Sequence, residues 1–148
     1  MHDVGTLVDE VRRRYDDACF ACGRDNPIGL HLDDFTLDAG VVCARFDPRP
    51  QYRGTEGSLH GGVAATALDE MLVWAGILTL RVMSVTGTLD LRYRKPAGMD
   101  TTFTVRGWVD ERRGRRLRLA GDLRAGDDTL VTASGIYLIT EDVSDLLS

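Results

Sequence analysis

Ser58-Leu59-His60-Gly61-Gly62-Val63-Ala64-Ala65-Thr66-Ala67-Leu68-Asp69-Glu70, continuing through Met71-Leu72-Val73-Trp74-Ala75-Gly76-Ile77-Leu78 to Met83, is the stretch that decides the fold. Its only acids are Asp69 and Glu70. Apolar residues fall on every side of a helix drawn through it, and a helix apolar all round is buried on all sides. Carboxylates inside such a helix are costly unless they have partners or a task. The Gly-Gly opening leaves backbone N–H groups accessible at a helix N-terminus, where a developing anion is stabilised.

The rest of the chain supplies the wrapping. Residues 4–17 carry Val4, Leu7, Val8, Val11 and Tyr15 at helical spacing, with Arg12, Arg13, Arg14, Asp16 and Asp17 facing solvent. A Gly/Pro loop follows, with Gly23, Asn26, Pro27 and Gly29. Leu30–Leu37 and Val41–Phe46 alternate as strands about the Asp38-Ala39-Gly40 turn. Beyond the central helix, Val85–Tyr93, Thr101–Val109, Arg115–Leu123 and Thr129–Ile139 are rich in Thr, Val, Leu and aromatics. Arg112-Arg113-Gly114 and Gly126-Asp127-Asp128 sit where hairpin turns belong. The expected architecture is α+β: an antiparallel sheet of five to six strands curled around one long helix, plus an N-terminal helix within residues 1–18. Residues 1–148 read as one domain, with 141–148 as a C-terminal tail.

Composition excludes several classes. A net charge of −5 and a pI near 5.1 argue against a nucleic-acid partner. The polar start Met1-His2-Asp3 lacks a signal-peptide pattern, and Asp69-Glu70 interrupt the apolar helix, so a membrane span is rejected. Three cysteines, Cys19, Cys22 and Cys43, suit a reducing cytoplasm better than a disulfide framework. No Gly-x-Ser-x-Gly elbow, P-loop or Gly-x-Gly-x-x-Gly is present. Cys19-x-x-Cys22 has the spacing of a zinc or redox pair, but no second Cys or His pair accompanies it. Cys43 and His31 would complete a site only by chance of folding, so the segment reads as structural and no metal is expected.

Three segments carry a family resemblance. Ser58-Leu59-His60-Gly61-Gly62-Val63 with Ala67-Leu68-Asp69-Glu70 resembles the His-Gly-Gly motif of hotdog-fold thioesterases of the PaaI-like (4-hydroxybenzoyl-CoA thioesterase) group. Thr86-Gly87-Thr88-Leu89-Asp90-Leu91-Arg92-Tyr93-Arg94-Lys95-Pro96-Ala97 resembles the strand that follows the helix there. Cys19-Phe20-Ala21-Cys22-Gly23 with Asn26-Pro27-Ile28-Gly29-Leu30 resembles the lead-in of one branch. The resemblance implies Asp69 as the catalytic carboxylate and the Gly61 N–H as the carbonyl-polarising donor. It also implies a hydroxyl on the next strand that holds the attacking water, Thr86 first and Thr88 second. Gly54 stands where some members carry asparagine, so substrate assignments from that branch do not transfer.

The chemistry is coherent on its own. A thioester carbonyl has little resonance protection and its thiolate leaves readily, so hydrolysis needs an oxyanion donor and a base or nucleophile. Gly61 can supply the first; Asp69 can attack directly or deprotonate water, and the sequence does not choose. His60 positions the turn and Gly62 lies beside the substrate. Met71 and Trp74 either line an acyl pocket or fill the core. Arg92, Arg94 and Lys95, or the Arg112–Arg116 tip, are candidates for the coenzyme A phosphates. Coenzyme A is here part of the substrate, and no separate cofactor is expected. Glu70 reads as structural, paired with a basic residue.

His60 and Asp69 are nine residues apart, about half a turn out of phase and about 13 Å apart along a helix. One helix cannot bring them together, and a second copy of the chain can. In the family that Asp69 and Gly61 resemble, active sites are shared across a homodimer, so a homodimer or dimer of dimers is expected. The rival readings are a non-hydrolytic acyl-thioester binder and a thioesterase acting on acyl carrier proteins.

Overall fold

The computed structural model describes residues 4–15 and 17–147. Helix α1 (Val4–Arg14) leads through a loop to strands β1 (Asp33–Asp38) and β2 (Val41–Phe46). Two short 3-10 turns, Pro50–Tyr52 and Thr55–Gly57, precede the long helix α2 (Gly61–Leu80). Strands β3 (Val82–Tyr93), β4 (Phe103–Arg113), β5 (Arg116–Ala125) and β6 (Asp128–Asp142) follow. The six strands form one sheet in the order β1-β2-β4-β5-β6-β3, with every pairing antiparallel. The sheet curls around α2, the expected hotdog arrangement.

Each end of α2 is built locally. His60 has extended backbone and accepts the Gly62 N–H on its Nδ1 at 2.9 Å, an N-cap made by an imidazole. At the other end Arg81 adopts the left-handed conformation (φ 60°) and returns its N–H to the Gly76 and Ile77 carbonyls. Between them, Ala67, Leu68, Met71, Leu72 and Ala75 have no exposed surface. Gly107 on β4 and Gly121 on β5 face each other across the ladder. A Cβ at Gly107 would come within 2.8 Å of the Met71 carbonyl, so bare backbone is what lets the sheet close on the helix here. Alone among the described helices, α2 has the length and apolarity to cross a membrane; here the sheet wraps it.

The hairpin turns fall where glycine pointed. Ala39 and Gly40 both have positive φ, the primed two-residue turn between β1 and β2, and Gly114 and Gly126 supply the other two.

Four expectations change. Helix α1 stops at Arg14, and Asp17 instead accepts the Arg24 N–H in the following loop. Asp16 lies outside the described residues. Arg12, expected in solvent, is 4% exposed and donates to the Leu32 carbonyl at 2.8 Å, with Asp9, Asp17 and Asp33 within 4 Å. Strand β1 begins at Asp33, because Leu30 and Leu32 spend their N–H groups on the Phe20 and Ala21 carbonyls and His31 has φ 54°. At the C-terminal end β6 runs on to Asp142, and Leu146 packs against the core.

Candidate active site

The N-terminus of α2 opens into a cleft of about 550 Å³ lined by Gly54, Ser58, His60, Gly61, Tyr93 and Arg94, among others. Its wall is set by backbone. Leu59 N–H bonds the Ala97 carbonyl at 2.8 Å and His60 N–H the Tyr52 carbonyl at 2.9 Å. Gly54 passes so close that a Cβ there would sit 3.1 Å from the His60 Cα. Asparagine cannot be placed at this position without moving His60, a physical reason for the departure noted in the sequence.

Within the first turn the donors are already distributed. The His60 ring takes the Gly62 N–H, and the His60 carbonyl takes those of Val63 and Ala64. The Gly61 N–H has no acceptor among the described residues, and Gly61 lines the cleft at the positive end of the helix. Because Nδ1 accepts, the His60 proton sits on Nε2. Tyr93, from the end of β3, donates its hydroxyl to the Gly61 carbonyl at 2.6 Å and so fixes the plane of the peptide beyond it. Sequence reading missed Tyr93 in this role, although the motif segment contains it.

Two turns on, Asp69 is half-buried and accepts two hydroxyl hydrogen bonds on one oxygen. Thr86 Oγ1 lies 2.6 Å and the Tyr137 hydroxyl 2.7 Å from Oδ1, while no described residue bonds Oδ2. Thr86 and Tyr137 are directly opposite each other in the β3–β6 ladder, which is why both hydroxyls reach one atom. Burial, and then the bond to Asp69, push the Tyr137 phenol far above its usual range, so it stays a donor. Asp69 does not line the Gly61 cleft of its own chain. Eight helical residues separate the two by about 12 Å along the axis.

The remaining predicted residues divide. Arg94 and Lys95 stand at the cleft, Arg94 bonded to Thr132 Oγ1 and Lys95 paired with Asp128 at 3.0 Å. Arg92 is exposed and is not part of the cleft lining. Met71 has no exposed surface and Trp74 packs on Phe35 with ring centroids 4.9 Å apart; both belong to the core. Thr88 turns away: its Oγ1 accepts the Ile136 N–H at a β-bulge between Thr86 and Thr88. The ladder β5–β6–β3 puts Arg116 opposite Leu138 and Leu138 opposite Val85. The arginine hairpin therefore sits at the Asp69 end of the sheet, and Arg94–Lys95 at the Gly61 end.

Glu70 has no basic partner among the described residues. Its Oε1 lies 3.0 Å from Cys22 Sγ and 3.6 Å from Cys19 Sγ. Burial pushes its carboxyl up to about 7, with the Cys19 charge adding to the rise. The bond between the two thiols holds Cys19 below and Cys22 above the ordinary thiol range.

Residues 56–132 match the family model described as thioesterase superfamily. The acyl-coenzyme A thioesterase THEM4 of Bos taurus is 30% identical over 100 residues, 66% of this chain and 40% of that protein. The chain thus spans well under half the length of this curated relative. Among solved structures, the thioesterase superfamily protein RHA08564 superposes with a TM-score of 0.75 at 26% identity, over 81% of this chain and 62% of that one. The Escherichia coli PaaI protein from the phenylacetic acid degradation operon gives a TM-score of 0.76 over 94% of this chain and 96% of its own, at 16% identity, which speaks to the fold.

Proposed function

This chain belongs to the thioesterase superfamily, and on that premise we propose that it hydrolyses acyl- or aroyl-CoA thioesters to the free acid and coenzyme A. The observation that carries the reading is the Asp69 carboxylate. It is held through Oδ1 by Thr86 and Tyr137 and keeps Oδ2 unbonded, in a chain whose same helix begins with an open Gly61 amide. The Gly61 N–H receives the developing oxyanion, with the helix terminus adding its partial positive charge. Asp69 Oδ2 either attacks the carbonyl or takes a proton from water. Thr86 and Tyr137 aim the carboxylate, and His60 and Tyr93 hold the Gly61–Gly62 peptide next to the donor. The thiolate is a good leaving group, so no cofactor is required beyond the substrate's own coenzyme A.

The two halves lie too far apart in one chain, so the reading requires a second copy. Strand β3 supports this. It is twelve residues long, pairs only with β6, and leaves its other edge open among the described residues. Edge-to-edge pairing of two antiparallel β3 strands would carry the partner's Asp69 end toward Gly61. The arginine hairpin would travel with it, adding Arg113 and Arg116 to Arg94 and Lys95 around a phosphate-bearing ligand. THEM4 bears the name of an acyl-coenzyme A thioesterase, which agrees with this substrate class. Three free thiols fit the reducing cytoplasm, where we place the protein.

A panel of acyl- and aroyl-CoA thioesters, run on the wild type beside Asp69→Asn and Asp69→Ala, tests the site. The expected loss of kcat is about 10²-fold or more, with unchanged folding. Near-wild-type turnover in Asp69→Ala would overturn the assignment. A monomeric mass in solution with full activity would overturn the shared geometry.

A further inference from the structure

The loop between α1 and β1 and the middle of α2 meet at a cluster that hydrolysis does not use. Cys19 and Cys22 lie one turn apart, closed by the Gly23 N–H on the Cys19 carbonyl at 2.8 Å. That turn is tight enough that a Cβ at Gly23 would fall 2.3 Å from the Cys19 nitrogen. It presents both sulfurs to Glu70 Oε1, at 3.6 Å and 3.0 Å. Cys22 is buried, Cys19 and Glu70 are half-buried, and Glu70 forms no ion pair among the described residues. Both thiols converge on one carboxylate oxygen, so two sulfurs and an oxygen, all able to ligate a metal once deprotonated, share one partly buried spot.

The distances say what fits. The three donor atoms lie within 4.8 Å of one another. A triangle with sides of 3.0, 3.6 and at most 4.8 Å has a centre within about 2.4 Å of each corner. Tetrahedral zinc sits about 2.3 Å from sulfur and about 2.0–2.2 Å from carboxylate oxygen. Three donors are therefore already gathered about one point at close to zinc-bond distance, and a small side-chain shift would turn them into one face of a tetrahedron, on a Cys-x-x-Cys spacing that zinc sites use. A cavity of about 140 Å³, lined also by Tyr15, Trp74 and Met83, leaves room for water at the fourth position. Trp74 has a buried indole N–H with no protein acceptor. Arg12 borders the same cavity, but Asp9, Asp17 and Asp33 offset its charge.

We propose that Cys19, Cys22 and Glu70 form a binding site for a thiophilic divalent cation of the zinc class, clamping the α1–β1 loop to α2. Two thiolates and a carboxylate favour zinc over magnesium or calcium, whose ligands are oxygens. Binding exchanges the two thiol protons, released to solvent, for the ion. The clamp acts next to Asp69 in sequence but on a different group, and it does not depend on the hydrolase reading.

The test titrates the reduced, metal-free full chain with Co(II), then displaces it with Zn(II). The expected result is a thiolate-to-cobalt absorption band that saturates at one ion per chain, is abolished by zinc, and comes with a higher melting temperature in zinc. Cys43→Ser should bind as the wild type does. Cys19→Ser and Cys22→Ser should lose the band. Glu70→Gln should weaken binding by more than about 100-fold, the upper end of what loss of an outer-shell partner causes. Circular dichroism separates lost binding from lost folding, and if a serine variant unfolds, Glu70→Gln against Cys43→Ser decides. A folded, reduced wild type with no thiolate–cobalt band overturns the proposal, as does binding that survives unchanged in Glu70→Gln and Cys22→Ser.

Discussion

Tyr137→Phe isolates one hydrogen bond at the centre of the proposed mechanism. Tyr137 has no exposed surface, and phenylalanine fills the same volume, so packing is retained while a single hydroxyl is removed. The lost bond is charge-assisted, 2.7 Å long, and ends on the Asp69 oxygen that Thr86 also holds. Such bonds contribute about 1.5–3 kcal/mol, and about 1.4 kcal/mol is a decade in rate. If the whole bond were needed to aim Oδ2, kcat would fall by about 10- to 150-fold. Because Thr86 still anchors Oδ1, the expected loss is about tenfold, at the low end of that range. Tyr137 has no exposed surface and reaches the substrate only through Asp69, so KM should not change. The assay follows release of the coenzyme A thiol under steady state, in the wild-type and Asp69→Asn backgrounds. In the Asp69→Asn background, Tyr137→Phe should have no further effect, since the carboxylate it aims is gone. An unchanged kcat, or the same tenfold loss on top of Asp69→Asn, would refute the aiming role and leave Tyr137 as core alone.

Arg12→Ala should destabilise the fold by about 1–3 kcal/mol, as loss of a buried hydrogen-bond partner does; it strands the Leu32 carbonyl, while Asp9 and Asp17 keep Arg24 and Asp33 stays in water. Urea unfolding measures this, and unchanged stability would make the guanidinium a bystander. Gly54→Asn should lower both kcat/KM and the melting temperature, because its Cβ meets the His60 Cα at 3.1 Å. Gly40→Asn is the control for a glycine with nothing within 4 Å: its φ of 80° strains a side chain, asparagine among the least, so the melting temperature should fall while kcat/KM stays unchanged, and an equal loss of kcat/KM at the two sites would show that crowding of His60 is not the cause. Tyr15 is pushed up from 10.0 to about 12, by burial first and then by its bond to Glu141. Its protonated phenol is favoured by the fold, so the stability it contributes is complete below pH 10.0 and is lost as pH rises through about 12. Tyr15→Phe should therefore lose stability less steeply than the wild type across that window, and parallel curves would contradict the assignment.

Some of this was legible in the sequence and some was not, for physical reasons that differ by residue. Helix α2 was legible because nothing between Gly61 and Leu80 breaks an apolar run too long for a strand. Arg12 was misread although a signal existed: it sits four residues after Val8 and one after Val11, on the edge of the apolar face. Leu30 and Leu32 looked like strand because alternation reports burial, and burial came from loop hydrogen bonds instead. Glu70 could not be read at all, since its partners lie 48 and 51 residues away and no local pattern encodes them. The same holds for Tyr137, which reaches Asp69 across 68 residues.

Thr86 and Thr88 show the limit most sharply. The family resemblance offered both as the hydroxyl on this strand, and simple alternation would put both on one face. The bulge inserts Gly87 between them and reverses the alternation: Thr86 faces Asp69, Thr88 bonds the Ile136 N–H, and Leu89, Leu91 and Tyr93 return to the inner face. That reversal is what allows one strand to serve both ends of α2, with Thr86 on the carboxylate and Tyr93 on the Gly61 carbonyl. Deleting Gly87 should force a choice, since a one-residue slip sends either the Thr86 half or the Leu89–Tyr93 half outward. The expected outcome is loss of cooperative melting, far beyond the effect of Tyr93→Phe, which removes only the one hydrogen bond. A Gly87 deletion that melts like the wild type and still turns over thioester would mean that the two ends of β3 are positioned independently, and the coupling argued from the bulge would fall.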